Sequence, residues 1–228
     1  LLLSVGNSVL ASDKSSSAQA NFVVEESVNN GVTMYTVSGN GAKEDAVKYL
    51  NNYQLQKINN QLQKENKQLD NGIMGISWNC TLPYVETGYG SNTDARNTTQ
   101  VGFCTGVDLL TFPFETRYAS AELGSQQAYW AGSTPYRADK IILNQSTKFT
   151  GLSITVSVPP GGSVTSDTAS WKSDPILNEY SVNVDRPRVE AKTSNLTGGF
   201  ITECEVIDIS DIYIGTNIYR PQSVIEYP

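Results

Sequence analysis

Apolar and polar positions alternate most cleanly over residues 152–158. Leu152, Ile154, Val156 and Val158 fall on one face, and Ser153, Thr155 and Ser157 fall on the other. A period of two is what a strand with one buried face requires. Shorter runs repeat the theme. Ala20–Glu25 and Gly31–Val37 read as two strands, and the Asn29-Asn30-Gly31 step between them predicts a hairpin turn. Further strands are predicted over Gln100–Cys104, Val107–Phe112, Lys140–Leu143, Tyr180–Val184 and Gly199–Ile209. Another is predicted at Ile73–Trp78, where Gly75 marks a bulge. The separators are turn formers: Gly88-Tyr89-Gly90, Pro159-Pro160-Gly161-Gly162 and Thr197-Gly198-Gly199.

Residues 42–70 break this grammar. They contain no glycine or proline and are dense in Gln, Lys, Asn, Glu and Leu, which are mostly good helix formers. Gly39-Asn40-Gly41 precedes the run, Glu44 and Asp45 fall in its first turn, and Asn71-Gly72 closes it. Ala46, Val47, Leu50 and Tyr53 form a helical stripe that Leu55, Ile58, Leu62 and Leu69 continue. The second half spaces its apolar residues like a narrow coiled-coil seam, interrupted by Glu65. The expectation is an amphipathic helix packed on a β domain through Val47, Leu50, Ile58 and Leu62. Oligomerisation through the same helix is the alternative.

These patterns predict a mainly β fold: an antiparallel β-sandwich, jelly-roll or immunoglobulin-like, with one long N-terminal amphipathic helix. The divisions are a secretory-signal remnant at 1–11, a flexible N-terminus and hairpin at 12–41, the helix at 42–71 and the β-sandwich domain at 72–228.

Composition then removes functions. A chain of 228 residues with net charge −7 and no basic stripe lacks the electrostatic footprint of nucleic-acid binding. There is no histidine, so histidine-based triads, histidine-ligated metals and histidine pH switches are excluded. No Gly-x-Ser-x-Gly, phosphate-binding loop or dinucleotide fingerprint occurs, and no cofactor is expected.

Leu1–Ala11 reads as the end of a secretory signal, with Val9 and Ala11 at the −3 and −1 positions of a cleavage site before Ser12. The run is too short to span a bilayer, which takes about 20 apolar residues. The expectation is a protein secreted to the extracellular space without a stable membrane anchor. In that oxidising compartment three cysteines yield one disulfide and one thiol. Cys80 and Cys104 are placed to pair across neighbouring strands, and Cys204 sits among apolar alternation as a buried thiol. Three free buried thiols are the other arrangement.

Candidate binding residues are aromatic. Tyr129, Trp130, Tyr136 and Arg137 stand among turn formers in the stretch Gly124–Arg137, and Tyr84, Glu86, Tyr89, Asn92, Asp94 and Arg96 make a second such stretch. Rings that bury area beside groups that fix orientation are what a glycan or a protein surface requires. Tyr129, Trp130, Tyr136, Arg137, Tyr84 and Tyr89 are the expected ligand-binding set, with Trp130 exposed if the surface is real. Glu203, Glu205, Asp208 and Asp211 lie close together, but on a half-apolar strand without calcium-loop spacing they are read as solvated acids. The functional expectation is a secreted binding or adhesion module for a glycan or a protein surface. A histidine-free hydrolase using paired carboxylates is one alternative. A pore-forming β-toxin drawing on residues 152–158 is the other.

Overall fold

The computed structural model describes residues 21–69, 76–81, 84–90, 94–108, 116–194 and 200–228. The described residues are mainly β and form two antiparallel sheets and one helix. In chain order the elements are β1 (Asn21–Asn29), β2 (Val32–Asn40), α1 (Lys43–Leu69), β3 (Ile76–Cys80), β4 (Tyr84–Tyr89), β5 (Ala95–Asp108) and β6 (Thr116–Trp130). Then follow β7 (Ala138–Leu152), β8 (Ile154–Val156), β9 (Ser163–Thr165), β10 (Thr168–Lys172), β11 (Ile176–Glu179) and β12 (Ser181–Asp185). The last are β13 (Val189–Ser194), β14 (Phe200–Ile214), β15 (Asn217–Tyr219) and β16 (Gln222–Tyr227). The helix is thus not N-terminal as expected: a β-hairpin precedes it. The proposed signal remnant and residues 12–20 lie outside the described residues, as do 73–75 of the strand predicted at 73–78 and 109–112 of the strand predicted at 107–112.

Two long strand pairs carry the architecture. In the first sheet β5 runs beside β6 along the whole of β6, from Ala95 opposite Trp130 to Asp108 opposite Thr116. The other edge of β6 is shared, with β12 pairing its Ser125–Tyr129 end and β13 its Thr116–Ala121 end. β2 pairs β12 and brings β1 as the outermost strand, so the hairpin is part of this sheet. β3 and β4 lie along β5. In the second sheet β14 pairs β7 over nearly its full length, flanked by β10 and β11 on one side and β15 and β16 on the other.

Both sheets contribute to two apolar clusters. One joins Ala128, Trp130, Val182 and Val184 to Ile141, Leu143, Trp171 and Ile212; the other joins Val101, Phe103, Ala121 and Ala191 to Phe149, Ala169, Val206 and Ile225. Between them lies a buried polar layer. Asp208 and Arg186 form an ion pair with both side chains out of solvent. Thr99 Oγ1 donates to Asp208 Oδ2 at 2.7 Å. Asn97 Nδ2 donates to Ser223 Oγ at 2.6 Å, and Gln126 Nε2 donates to Asn97 Oδ1 at 2.8 Å.

The backbone turns Arg186 inward at this level. β12 and β13 are separated by Arg186-Pro187-Arg188, and the Arg186 N–H is bonded to the Gly124 carbonyl at 2.8 Å. Opposite, the β5–β6 register slips between Gln100 and Gly102. A Cβ on Gly124 would lie 1.9 Å from the Gln100 carbonyl oxygen, so only glycine permits this approach.

The strand predicted at 152–158 is divided. Ser153 takes φ +57° and turns the chain out of β7 in the second sheet into β8 in the first. Such corners let one strand serve two sheets. The predicted pairing of Cys80 with Cys104 is present, linking β3 to β5 across opposed positions, while Cys204 is a buried free thiol. Burial pushes the Cys204 thiol up to about 12, which keeps it protonated and unreactive.

Two stability measurements check this core. Trp130 is 4% exposed and packs on Tyr219 with ring centroids 5.1 Å apart, so Trp130→Ala is expected to cost about 3–5 kcal/mol in urea melts. Asp208→Ala leaves the Arg186 charge buried without a partner and is expected to cost a similar amount, about 3–5 kcal/mol. A loss below about 1 kcal/mol in either melt would place the residue outside a tightly packed interior.

Candidate functional site

The outer face of the first sheet can be read row by row from the register. One row crosses β12, β6, β5 and β4 as Ser181, Tyr129, Arg96 and Tyr89. The next crosses β2, β12, β6, β5 and β4 as Tyr35, Asn183, Gln127, Thr98 and Thr87. A third runs Asp185, Ser125, Gln100 and Val85. Opposed residues share a face because strand side chains alternate. The face between β12 and β4 is therefore made largely of amides and hydroxyls.

The first row ends in an aromatic–cationic pair. The Arg96 guanidinium lies 4.7 Å from the centroid of the Tyr89 ring, which is 64% exposed. Tyr129 is half-buried, and burial pushes its phenol up against the pull of Arg96. At the same end of the sheet, Lys43 of α1 donates to the carbonyls of Gly132 and Tyr136, at 3.1 and 2.8 Å. Lys43 also sits 5.2 Å from the centroid of the exposed Tyr136 ring. The Tyr136 and Tyr180 rings are 5.6 Å apart, and Arg137 lies 5.9 Å from the Tyr180 centroid while bonding the Asn178 carbonyl.

The six residues expected to bind ligand are thus divided. Tyr89 and Tyr129 share one row, and Tyr136 and Arg137 flank the same end of the sheet. Trp130, one residue on from Tyr129, turns to the interior, and its ring is closed to a ligand. Tyr84 is opposed to Val101 and belongs to the inner face, packing on Phe103 and Tyr227 at 5.8 and 6.0 Å. Gly88 falls between Thr87 and Tyr89, and a Cβ there would lie 1.7 Å from the Gln222 carbonyl oxygen. It holds β4 tightly against β16.

Helix α1 lies across the other two rows. Its buried line is Ala46, Leu50, Gln54 and Ile58, at intervals of four; Leu55, expected in the stripe, is only half-buried. Gln54 Nε2 donates to Asp185 Oδ1, and Tyr35 OH donates to Asp185 Oδ2 at 2.6 Å. Lys57 Nζ donates to Tyr35 OH at 2.6 Å and pairs with Glu26 at 3.2 Å, while Tyr53 OH donates to Glu26 at 2.6 Å. Burial pushes Asp185 above the ordinary carboxylate range, opposed by these donors. The Tyr53 phenol is raised to about 12, mainly by burial. Ile58 packs on Cys80, Cys104 and Leu123. The Leu62 side chain lies outside the described residues.

The acidic stretch on β14 is dispersed. Asp208 points inward to Arg186, Asp211 pairs with Arg220 at 2.7 Å, and Glu205 stands between Lys148 and Glu226 in the register. No group of three metal-ligating side chains gathers among the described residues. Glu179 is also raised, by burial and by Glu25, against the pull of Arg137. No family model, curated protein or solved structure matches the chain.

Sequence reasoning named Arg96 in the same stretch as Tyr89 but left it out of the binding set, and it missed the amides Gln100, Gln127 and Asn183. The signal for Arg96 was the Tyr89-to-Arg96 spacing around a turn. The amides carried none.

Asp185 gives a pH test. Its folded pKa is raised above the unfolded value of about 3.9, so between the two the folded chain holds more protons. Its contribution to stability therefore falls as pH rises through that window. Compared with Asp185→Asn, the wild type is expected to gain relative stability as pH is lowered from 7 towards about 4. The opposite slope in paired melts would mean that the anion is the form the fold prefers.

Proposed function

We propose that the chain is a secreted extracellular binding module, a β-sandwich that presents its ligand face on the outside of the first sheet. The observation that carries this reading is the Tyr89–Arg96–Tyr129 row. A stacked, exposed ring stands on hydrogen-bonded strands beside orienting polar groups, with Tyr136 and Arg137 at the same end. Rings held on a sheet lose little freedom on binding, which is where affinity is usually lost. The signal-like residues 1–11 and the Cys80–Cys104 disulfide support secretion, since disulfides persist in oxidising compartments.

The hydrolase alternative asks for two close carboxylates facing a cleft. Asp185 and Asp208, both raised by burial, are instead engaged with Tyr35 and Gln54 and with Arg186. The pore-forming alternative leaned on one amphipathic strand at 152–158, and Ser153 divides it between the sheets. Neither has an observation that favours it over binding.

Tyr89→Ala and Arg96→Ala, screened with the wild type on a glycan array and a panel of surface proteins, test the proposal. Loss of binding of about tenfold or more with an unchanged melting temperature is expected, since truncating an interface anchor costs 1–2 kcal/mol or more. If every wild-type ligand is retained by both variants, the row is not the binding surface.

A further inference from the structure

We infer that helix α1 is a strap lying on the ligand face of the first sheet, competing for it with a glycan. This inference rests on the binding reading above and extends its surface beneath the helix.

The helix is anchored unevenly. On the β2 side it meets an apolar cluster, where Ala46 and Leu50 pack on Tyr35, Val37 and Tyr180. Two turns further on, near the middle of α1, Ile58 sits on Cys104 and Leu123. Between these anchors it satisfies the polar side chains only in part: Gln100 Nε2 donates to Asn51 Oδ1 of the helix at 2.8 Å and Gln54 of the helix donates to Asp185, but other polar atoms of this layer are left over. Gln54 Oε1, Gln100 Oε1 and both amide atoms of Asn183 are buried without a hydrogen-bond partner. All three side chains are 2% exposed or less. Gln127 reaches only the Val47 main-chain carbonyl, at a long 3.5 Å, and Ser181. A buried amide left unpaired costs free energy that water or a ligand recovers. The covered face thus keeps hydrogen-bonding capacity, at Gln100 Oε1 and at both ends of the Asn183 amide, that this helix does not use.

The chemistry of that face selects the occupant. Carboxamides both donate and accept, as sugar hydroxyls do, and Gln100, Gln127 and Asn183 lie beside a row that ends in the stacked Tyr89 ring. The core of a protein–protein interface is apolar and aromatic, which the rows from β12 to β4 are not. A glycan crossing from Tyr89 towards Asn183 meets a ring first and amides after it. The second half of that path opens only when the helix lifts.

Local opening is measurable without any ligand. By hydrogen–deuterium exchange of the full chain, the amides of residues 46–58 are expected to exchange at least about 100-fold faster than those in the centres of β6 and β14. Leu50→Ala/Ile58→Ala weakens both anchors and changes none of Tyr89, Arg96, Gln100, Gln127 and Asn183. It is expected to speed helix exchange by a further factor of about ten, leaving β6 unchanged. With chitohexaose, cellohexaose and mannohexaose as probes, the same variant is expected to bind at least one by about tenfold more tightly than the wild type. If the double variant does not fold, Leu50→Ala alone carries both readouts. Exchange of the helix at the rate of β6 would overturn the strap, whatever Tyr89→Ala does to binding. A loosened helix that binds none of the three hexasaccharides more tightly, or that gains only protein ligands, would overturn the glycan.

Discussion

The Arg186–Asp208 pair is the constraint around which the rest of the molecule is arranged. Two charges taken out of water repay their desolvation only with close geometry and satisfied neighbours. Here the neighbours come from five strands: Thr99 on β5, Gln126 on β6, Ser210 on β14, Ser223 on β16 and Thr147 on β7. Meeting that geometry requires the slip in the β5–β6 register, the glycine at 124 and the proline-interrupted passage from β12 to β13. The apolar clusters on either side are then separate. A wholly apolar interior would allow the sheets several neighbouring registers, whereas a single buried pair allows one. The pair thus contributes uniqueness more than stability.

Much of the fold was legible along the chain. The hairpin at Asn29-Asn30-Gly31, the strands at 100–104, 140–143 and 180–184, and the helix at 42–70 follow from local period and turn chemistry, and each has its counterpart. The lengths of β5, β6, β7 and β14 were not legible. Their middles are Thr, Gln, Ser and Asn facing inward, and a polar residue on a buried face reads as an interruption when the partner across the interior is unseen. Period alone also could not show that Ser153 accepts a left-handed conformation and parts one amphipathic run between two sheets.

The site was legible in part. Tyr89 and Tyr129 were found as aromatics near turns, and the register joins them through Arg96. Trp130 and Tyr84 share that composition but fall on the other side of the pleat, one residue or one strand face away. Side-chain parity, which is absent from composition, separates the outer-face rings from these two, of which Trp130 is buried and Tyr84 is inward-facing yet exposed. The helix stripe holds at Ala46, Val47, Leu50, Tyr53 and Ile58 and departs at Leu55 for a related reason. Leu55 fits an apolar seam, yet the sheet beneath offers Asp185, so Gln54 turns inward instead.

The disulfide lies directly below the second anchor of the helix, where Ile58 rests on Cys104. A bridge that closes a loop across 24 positions stiffens β3 and β5 by restricting the unfolded chain, worth about 3 kcal/mol. It also supplies the apolar sulfur surface that Ile58 needs. Reduction would replace that surface with two thiols, while β3 would remain paired to β5 along its length. The second anchor of the helix thus rests on the bridge together with Leu123, so a covalent link between two strands forms part of the floor on which α1 sits.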